Sequence, residues 1–216
     1  GLILSSVLAD ADTFAGHYFG GITGYSYNAV LYDCETASGR AGGYSYDSAQ
    51  QDKVLKGDYV GGIVGYGNYT ILSNCETQKN GYVLGENYVG GIAGGLGNEV
   101  GSSIRNTEEV LVTTNRSYVI GKNYAGGITG INTDGVTLEN CVNNGVAAAT
   151  EKYAGGIVGY NEYGAKIQDC VSYLSDYDSS IYNMIVDGRP PAITWAASQA
   201  TITERSHLTA QVRRLW

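Results

Sequence analysis

The sequence contains little proline and methionine and no long apolar run. Its 216 residues include only two prolines and one methionine, against 32 glycines and 19 tyrosines. This skew favours strands and tight turns over helices. No apolar run approaches the roughly 18 residues that a membrane span needs. All-β chains of this length often form a single domain, so a sizeable core is expected.

Basic residues are scarce as well. The chain has 13 Lys and Arg against 21 Asp and Glu, a formal charge of −8. Nucleic acids and anionic membrane surfaces need a basic footprint, so both are disfavoured as partners. Residues 1–188 carry 9 basic and 20 acidic residues, whereas residues 189–216 carry 4 and 1. We therefore predict a repeat domain at 1–188 and an atypical basic tail at 189–216 that acts as a cap or linker.

Histidine and cysteine are too few and too scattered for the common catalytic and metal-binding patterns. The only histidines, His17 and His207, lie near opposite ends of the chain and have no triad or nucleophile-elbow context. The four cysteines include no Cys-x-x-Cys pair, which argues against a zinc site. We predict no catalytic residue, no metal and no cofactor.

A repeat is what the sequence does contain. The phrase Tyr-x-Gly-Gly-Ile-x-Gly occurs at residues 18–24, 59–65, 88–94, 124–130 and 153–159. A second pattern, Leu/Ile-x-Asn/Asp-Cys, follows each phrase by about half a repeat. In the third copy this pattern corresponds to Ile104, Asn106 and Thr107, so threonine replaces cysteine there. Each unit then offers three short β-prone segments separated by Gly, Asn and Asp turn residues.

This organisation predicts an all-β parallel β-helix, or β-solenoid, of about five to six coils with three short strands per coil. None of the segments can bury its apolar face alone, and stacking the units closes one continuous core. The phrases start 41, 29, 36 and 29 residues apart. These spacings place insertions at residues 41–52 and 106–117.

In a solenoid the same residue of each unit stacks on its neighbour in the next coil. The glycine pair then marks a column where the backbone bends sharply or approaches the opposite wall closely. The Asn/Asp positions are expected at a corner, and the cysteines as small buried side chains. The predicted structural columns are Tyr18, Tyr59, Tyr88, Tyr124 and Tyr153; Ile22, Ile63, Ile92, Ile128 and Ile157; and Cys34, Cys75, Cys141 and Cys170.

Tyrosines outside the regular column are the candidate binding residues. Tyr25, Tyr66, Tyr160 and Tyr163 lie in or beside the turn that follows a glycine phrase, and loops commonly carry function. The regular tyrosine column has two interpretations, an aromatic strip that stacks on sugar rings and a structural stack.

The phrase "YAGGIVGYN" (153–161), followed by Ile167, Asp169 and Cys170, resembles the GLUG-motif repeats of large bacterial surface proteins. That family includes adhesins and the non-catalytic region of IgA-protease-type peptidases. The resemblance covers about residues 16–175 in five copies. It implies an extracellular or cell-surface location in bacteria, a segment of a much longer chain, and no catalytic residue within the repeats.

We therefore expect a non-catalytic module of a bacterial surface or secreted protein that acts as an adhesin-like binding surface or a rigid stalk. Host or matrix glycans or proteins are the expected partners. Because the ends of a solenoid expose strand edges, an isolated fragment is also expected to associate end to end.

Two alternatives stay open. One is the spacer region of a surface peptidase. The other is a carbohydrate-active β-helix enzyme, a polysaccharide lyase or glycoside hydrolase. That enzyme would need Glu99, Asp134 and Glu162 to line up on one face. Arg105 or Lys166 would have to lie beside them.

Overall fold

The computed structural model describes residues 2–5, 8–9, 17–37, 39–47, 52–97, 102–104 and 112–173. These ranges contain 25 strands and no helix, hence none that is long and apolar enough to cross a membrane. The predicted basic tail, residues 189–216, lies outside the described residues.

The strands follow one another in a repeating order. The first seven are β1 (Leu2–Ser5), β2 (Leu8–Ala9), β3 (Tyr18–Gly20), β4 (Thr23–Tyr32), β5 (Glu35–Thr36), β6 (Arg40–Asp47) and β7 (Asp52–Lys56). The next nine are β8 (Tyr59–Gly61), β9 (Val64–Ser73), β10 (Glu76–Thr77), β11 (Tyr82–Gly85), β12 (Tyr88–Gly90), β13 (Ala93–Leu96), β14 (Ser103–Ile104), β15 (Thr113–Asn115) and β16 (Tyr118–Gly121). The last nine are β17 (Tyr124–Gly126), β18 (Thr129–Asn132), β19 (Thr137–Glu139), β20 (Cys141–Asn143), β21 (Val146–Ala149), β22 (Tyr153–Gly155), β23 (Val158–Asn161), β24 (Lys166–Gln168) and β25 (Val171–Ser172).

These strands pair into four sheets. Sheet A has nine strands (β1, β4, β9, β13, β14, β18, β19, β23 and β24), and sheet B has the order β2-β5-β10-β15-β20-β25. Sheet C has the order β21-β16-β11-β6-β7, and sheet D the order β22-β17-β12-β8-β3. All pairings are parallel except the β6–β7 hairpin, in which residues 43–47 pair with residues 52–56. This hairpin overlaps the insertion predicted at 41–52. The predicted parallel β-helix is confirmed.

The number of coils also agrees with the prediction. Five coils each begin at a glycine phrase, and β1 and β2 add a partial coil by pairing with β4 and β5. A complete coil passes through four sheets with four or five strands, not the three strands expected. An extra strand arises because the glycine phrase supplies two strands in two sheets: β12 ends at Gly90, and β13 begins at Ala93.

Steric contact explains the glycine pair. A Cβ on Gly90, the first glycine of its pair, would overlap the carbonyl oxygen of Ala93. In every copy of the phrase, a Cβ on the first glycine would overlap the carbonyl oxygen of the residue three positions later. A Cβ on Gly91 would overlap the carbonyl oxygen of Gly127 and the side-chain amide of Asn115. Both glycines therefore allow a close approach that any side chain would block.

The Asn/Asp positions form a corner between sheets A and B. Asp33, Asn74, Asn140 and Asp169 all have positive φ, between 49° and 58°. Asn and Asp tolerate this left-handed conformation better than other non-glycine residues. The residues also bond along the stack, since Nδ2 of Asn74 donates to Oδ1 of Asp33 at 2.6 Å.

The interior is filled by the repeated apolar residues. Ile63, Ile92 and Ile128 are fully buried, while Ile22 and Ile157 in the end coils are partly buried against the same cluster. The cluster also contains the buried side chains Leu31, Leu72, Ile104 and Leu138 and all four cysteines. A second cluster, with Val60, Val83, Val89 and Val119, packs between sheets C and D.

In the third coil, the residue at the cysteine position is not the one that the sequence pattern predicted. Thr113 pairs with Cys141, and its Oγ1 accepts a hydrogen bond from the backbone N–H of Cys75 at 3.3 Å. Thr113, not Thr107, therefore stands in the cysteine column. The insertion after Ile104 shifts the alignment, and Thr107 itself lies outside the described residues.

A buried polar ladder lies opposite the second glycines. The amide of Asn115 accepts a hydrogen bond from Oγ1 of Thr77 and donates to Oδ1 of Asn143 at 2.8 Å. The amide of Asn143 continues the ladder to Oγ of Ser172 at 3.2 Å. Thr77, Asn115 and Asn143 are almost fully buried. Such groups stabilise a core only when their hydrogen bonds are satisfied.

Candidate functional site

The tyrosines that open the strands of sheet D form one continuous stack, here called the tyrosine ladder (Tyr18, Tyr59, Tyr88, Tyr124 and Tyr153). Neighbouring ring centroids are 5.1 to 5.8 Å apart, with interplanar angles of 14° to 29°. This geometry is offset stacking, which leaves part of each ring uncovered. The end rings are the most exposed, Tyr18 at 47% and Tyr153 at 61%.

A second outward column runs beside the ladder along sheet A. Its members are in register and are, from the first coil to the fifth, Tyr25, Tyr66, Gly95, Ile131 and Tyr160. The two columns touch: Tyr66 packs edge-on against Tyr59 at 4.9 Å, and Tyr160 is tilted against Tyr124 at 5.5 Å. We call the ladder and this second column together the tyrosine face.

The four candidate binding tyrosines fall into two groups. Tyr25 and Tyr66 stack on each other at 6.0 Å in the first two coils. Tyr160 and Tyr163 belong to the fifth coil, where Tyr163 is 74% exposed in the turn after β23. Gly95 and Ile131 separate the groups, so the structure does not bring all four rings into one cluster.

Gly95 is the only member of the second column without a side chain. A Cβ on this glycine would lie 2.9 Å from the Tyr59 ring and 2.9 Å from Cγ2 of Ile131. These two neighbouring side chains therefore fill the space where a second-column side chain is missing.

The pKa values of the central tyrosines are raised. Burial, followed by the neighbouring Tyr88, Tyr66 and Tyr18, raises the pKa of Tyr59 to about 12. Burial is also the main cause of the raised pKa of Tyr88, and Glu162 and Asp58 add to it. These hydroxyls therefore stay protonated at neutral pH. They are hydrogen-bond donors as well as acceptors.

Side chains that precede the ladder tyrosines form an amide ladder beside it. Nδ2 of Asn87 donates to Oδ1 of Asp58, and Nδ2 of Asn123 donates to Oδ1 of Asn87 at 2.7 Å. Nδ1 of His17 forms a hydrogen bond with Oδ2 of Asp58. Sequence reasoning missed this ladder, although the signal is visible as Asp or Asn directly before Tyr in "GDY", "ENY" and "KNY".

Two of the three carboxylates considered for an enzymatic site lie in adjacent turns. The backbone N–H of Asp134 donates to Oε2 of Glu162 at 3.4 Å. Lys166 is exposed, while Glu99 and Arg105 lie outside the described residues. Within the described part of the chain, no three His, Cys, Asp or Glu side chains come together in a way that could hold a metal ion.

The four cysteine side chains are buried. A hydrogen bond between the Cys75 and Cys34 thiols, together with burial, raises the pKa of Cys75. The bond between Cys141 and Cys170, together with burial, raises the pKa of Cys141. Since the thiolate is the reactive form, Cys75 and Cys141 are poor nucleophiles. The hydrogen bond with Cys141 instead lowers the pKa of the Cys170 thiol.

A partly open cavity of about 20 Å³ lies between sheets B and C, bordered by Thr36, Thr77, Ser117 and the glycines of the first two coils. Its volume suits about one water molecule and no larger ligand. The exposed tyrosine face is therefore the stronger candidate for a binding surface.

Comparison with known proteins adds no relative. The chain matches no family model, no curated protein sequence and no solved structure. The fold and the tyrosine face therefore carry the functional argument.

Proposed function

We propose that this chain is a non-catalytic β-solenoid module of a bacterial surface or secreted protein and that its tyrosine face is an adhesive surface. The observation that carries the proposal is the pair of touching, outward tyrosine columns, with centroid distances of 4.9 Å and 5.5 Å between them. Aromatic rings that combine an apolar face with a hydroxyl group are enriched at binding surfaces.

The scaffold suits this role. Equivalent residues of successive coils pair in register in all four sheets, and the buried polar ladder links the coils as well. Because this makes the rod rigid, the rings keep fixed spacings along its length. Because the rings are ordered before a ligand binds, the entropy cost of binding is reduced. The resemblance to GLUG-motif repeats supports an extracellular or cell-surface location, and host or matrix glycans or proteins are the partners we propose.

Adhesion of coated beads tests the proposal. Beads carrying the 216-residue chain should adhere to immobilised matrix material or host cells, whereas beads carrying a chain with Tyr66, Tyr160 and Tyr163 changed to Ala should adhere much less. A chain with Tyr27→Ala is the matched control, because Tyr27 is 60% exposed and outside the tyrosine face. Absence of adhesion would favour a stalk or the spacer region of a surface peptidase.

A glycan-cleaving activity is the second candidate because Asp134 and Glu162 are neighbours in adjacent turns. Carboxylate pairs perform glycoside hydrolysis when they flank the scissile bond. Asp134 is exposed on its turn and Glu162 is only half-buried, so this candidate has less support. Release of reducing ends from polysaccharides, abolished by Glu162→Gln, would establish it.

A further inference from the structure

The chemical groups of the tyrosine face repeat along one direction. One ladder ring lies on each coil, and the centroids of neighbouring rings are 5.1 to 5.8 Å apart. The amide ladder beside them follows the same coils, from Asp58 through Asn87 to Asn123. A ligand that contacts several coils at once must therefore be a linear polymer with a similar repeat, aligned with this axis.

The length of the repeat discriminates between polymers. An extended polypeptide presents same-side side chains only about every 7 Å, so it would lose register with the coils. One sugar unit of an extended, β-linked polysaccharide has about the length of the ring spacing. The row of rings along five coils also suits a polymer, whereas small ligands prefer concave sites.

The charge around the face favours a neutral polymer. Asp58 and Glu162 are close enough to Tyr88 to raise its pKa, and Nζ of Lys152 lies 5.2 Å from the centroid of the Tyr124 ring. These border charges have both signs and do not form the basic patch that a polyanion needs. The net charge of the whole chain, −8, opposes a polyanion further.

We propose that the tyrosine face binds a neutral, extended β-linked polysaccharide that lies parallel to the solenoid axis. Its sugar rings contact Tyr88, Tyr124 and Tyr160. Its hydroxyl groups bond to Asn87, Asn123 and Glu162, each of which has hydrogen-bonding capacity beyond its contacts in the ladder or turn. This inference rests on the proposed adhesive function and names the ligand class and the direction in which it lies.

Calorimetric titration of the 216-residue chain with cello-oligosaccharides tests the inference. We expect the affinity for cellohexaose to exceed that for cellobiose by about tenfold or more, because the longer chain contacts more coils. Maltohexaose is the matched ligand control, since its α-linkages curl the chain, and we expect it to bind no better than cellobiose.

Variants locate the site. Tyr160→Ala should lower cellohexaose affinity by about tenfold, as expected for losing one or two ring contacts. Tyr88→Phe removes only a hydroxyl group, so it keeps the stack intact and should lower the affinity by about threefold. Tyr27→Ala should leave the affinity unchanged. Circular dichroism of each variant checks that the fold is retained.

The outcomes separate this inference from the proposed function. Affinity that does not depend on oligosaccharide length, or that is unchanged in both Tyr160→Ala and Tyr88→Phe, overturns the axial site. Failure to bind any cello-oligosaccharide while coated beads still adhere overturns the ligand class and leaves the adhesive function standing. If the original chain shows neither bead adhesion nor oligosaccharide binding, both proposals are contradicted.

Discussion

The glycine pair and the tyrosine that precedes it belong to the same seven-residue phrase, yet they are packed in opposite ways. At the glycine corner, where sheets D and A meet, the second glycine of the third coil, Gly91, lies against the next coil and the buried amide of Asn115. The ladder tyrosines remain partly exposed, and the residue after the phrase, in the second column, changes from tyrosine to glycine, isoleucine and back to tyrosine along the rod. The glycines recur because packing leaves no room for a side chain, whereas the position after the phrase accepts side chains of different sizes.

The largest effect is expected at the corner. Gly127→Ala should lower the free energy of unfolding by about 3 kcal/mol or more, because a Cβ would overlap the carbonyl oxygen of Gly156 and the amide of Asn143. Gly81→Ala is the matched control, since its nearest neighbour, the carbonyl oxygen of Gln78, is 3.3 Å from the position of the Cβ. We expect a loss below about 1 kcal/mol there. Urea unfolding measures both, and equal losses would contradict the steric explanation.

A smaller effect is expected where a polar ladder is interrupted. Asn115→Ala should cost about 2–3 kcal/mol, because it leaves the buried groups of Thr77 and Asn143 without their partner. Asn123→Ala interrupts the half-buried ladder beside the tyrosines, where water replaces the lost bond, and should cost less than about 1 kcal/mol. Thermal unfolding of the two variants compares the ladders directly. A larger loss of stability in Asn123→Ala than in Asn115→Ala would contradict this explanation.

The smallest effect is expected at alkaline pH. Burial raises the pKa of Tyr59 from 10.0 to about 12, so the folded state retains this proton more strongly than the unfolded chain. The stabilisation is complete below pH 10 and is lost as the pH rises towards 12. The melting temperature should therefore fall across this window, and less steeply in Tyr59→Phe. Identical profiles for the two proteins would show that Tyr59 does not contribute.

Sequence repetition was sufficient to predict the parallel solenoid and its number of coils, because each column position recurs in every unit. It did not reveal that the glycine phrase spans two sheets, since steric contact at Gly90 and Gly91 arises only after folding. It also misplaced the third cysteine position, because the insertion after Ile104 moves the register to Thr113.

The candidate site was predicted only in part. The regular tyrosine positions follow from the repeat, but the contact of Tyr66 with Tyr59 and of Tyr160 with Tyr124 depends on how sheets A and D meet. The amide ladder of Asp58, Asn87 and Asn123 could have been predicted, because the residue before each of these ladder tyrosines recurs from coil to coil. The contacts between the two tyrosine columns are lateral, and the repeat alone does not reveal them.

We propose that the tyrosine face binds a glycan and that the rest of the solenoid keeps the rings of the face in place. A glycan array tests this with the 216-residue chain, the variant in which Tyr66, Tyr160 and Tyr163 are changed to Ala, and Tyr27→Ala. We expect specific glycan binding by the original chain and by Tyr27→Ala, and its loss in the triple variant. Equal binding by all three proteins, or binding by none, would contradict this proposal.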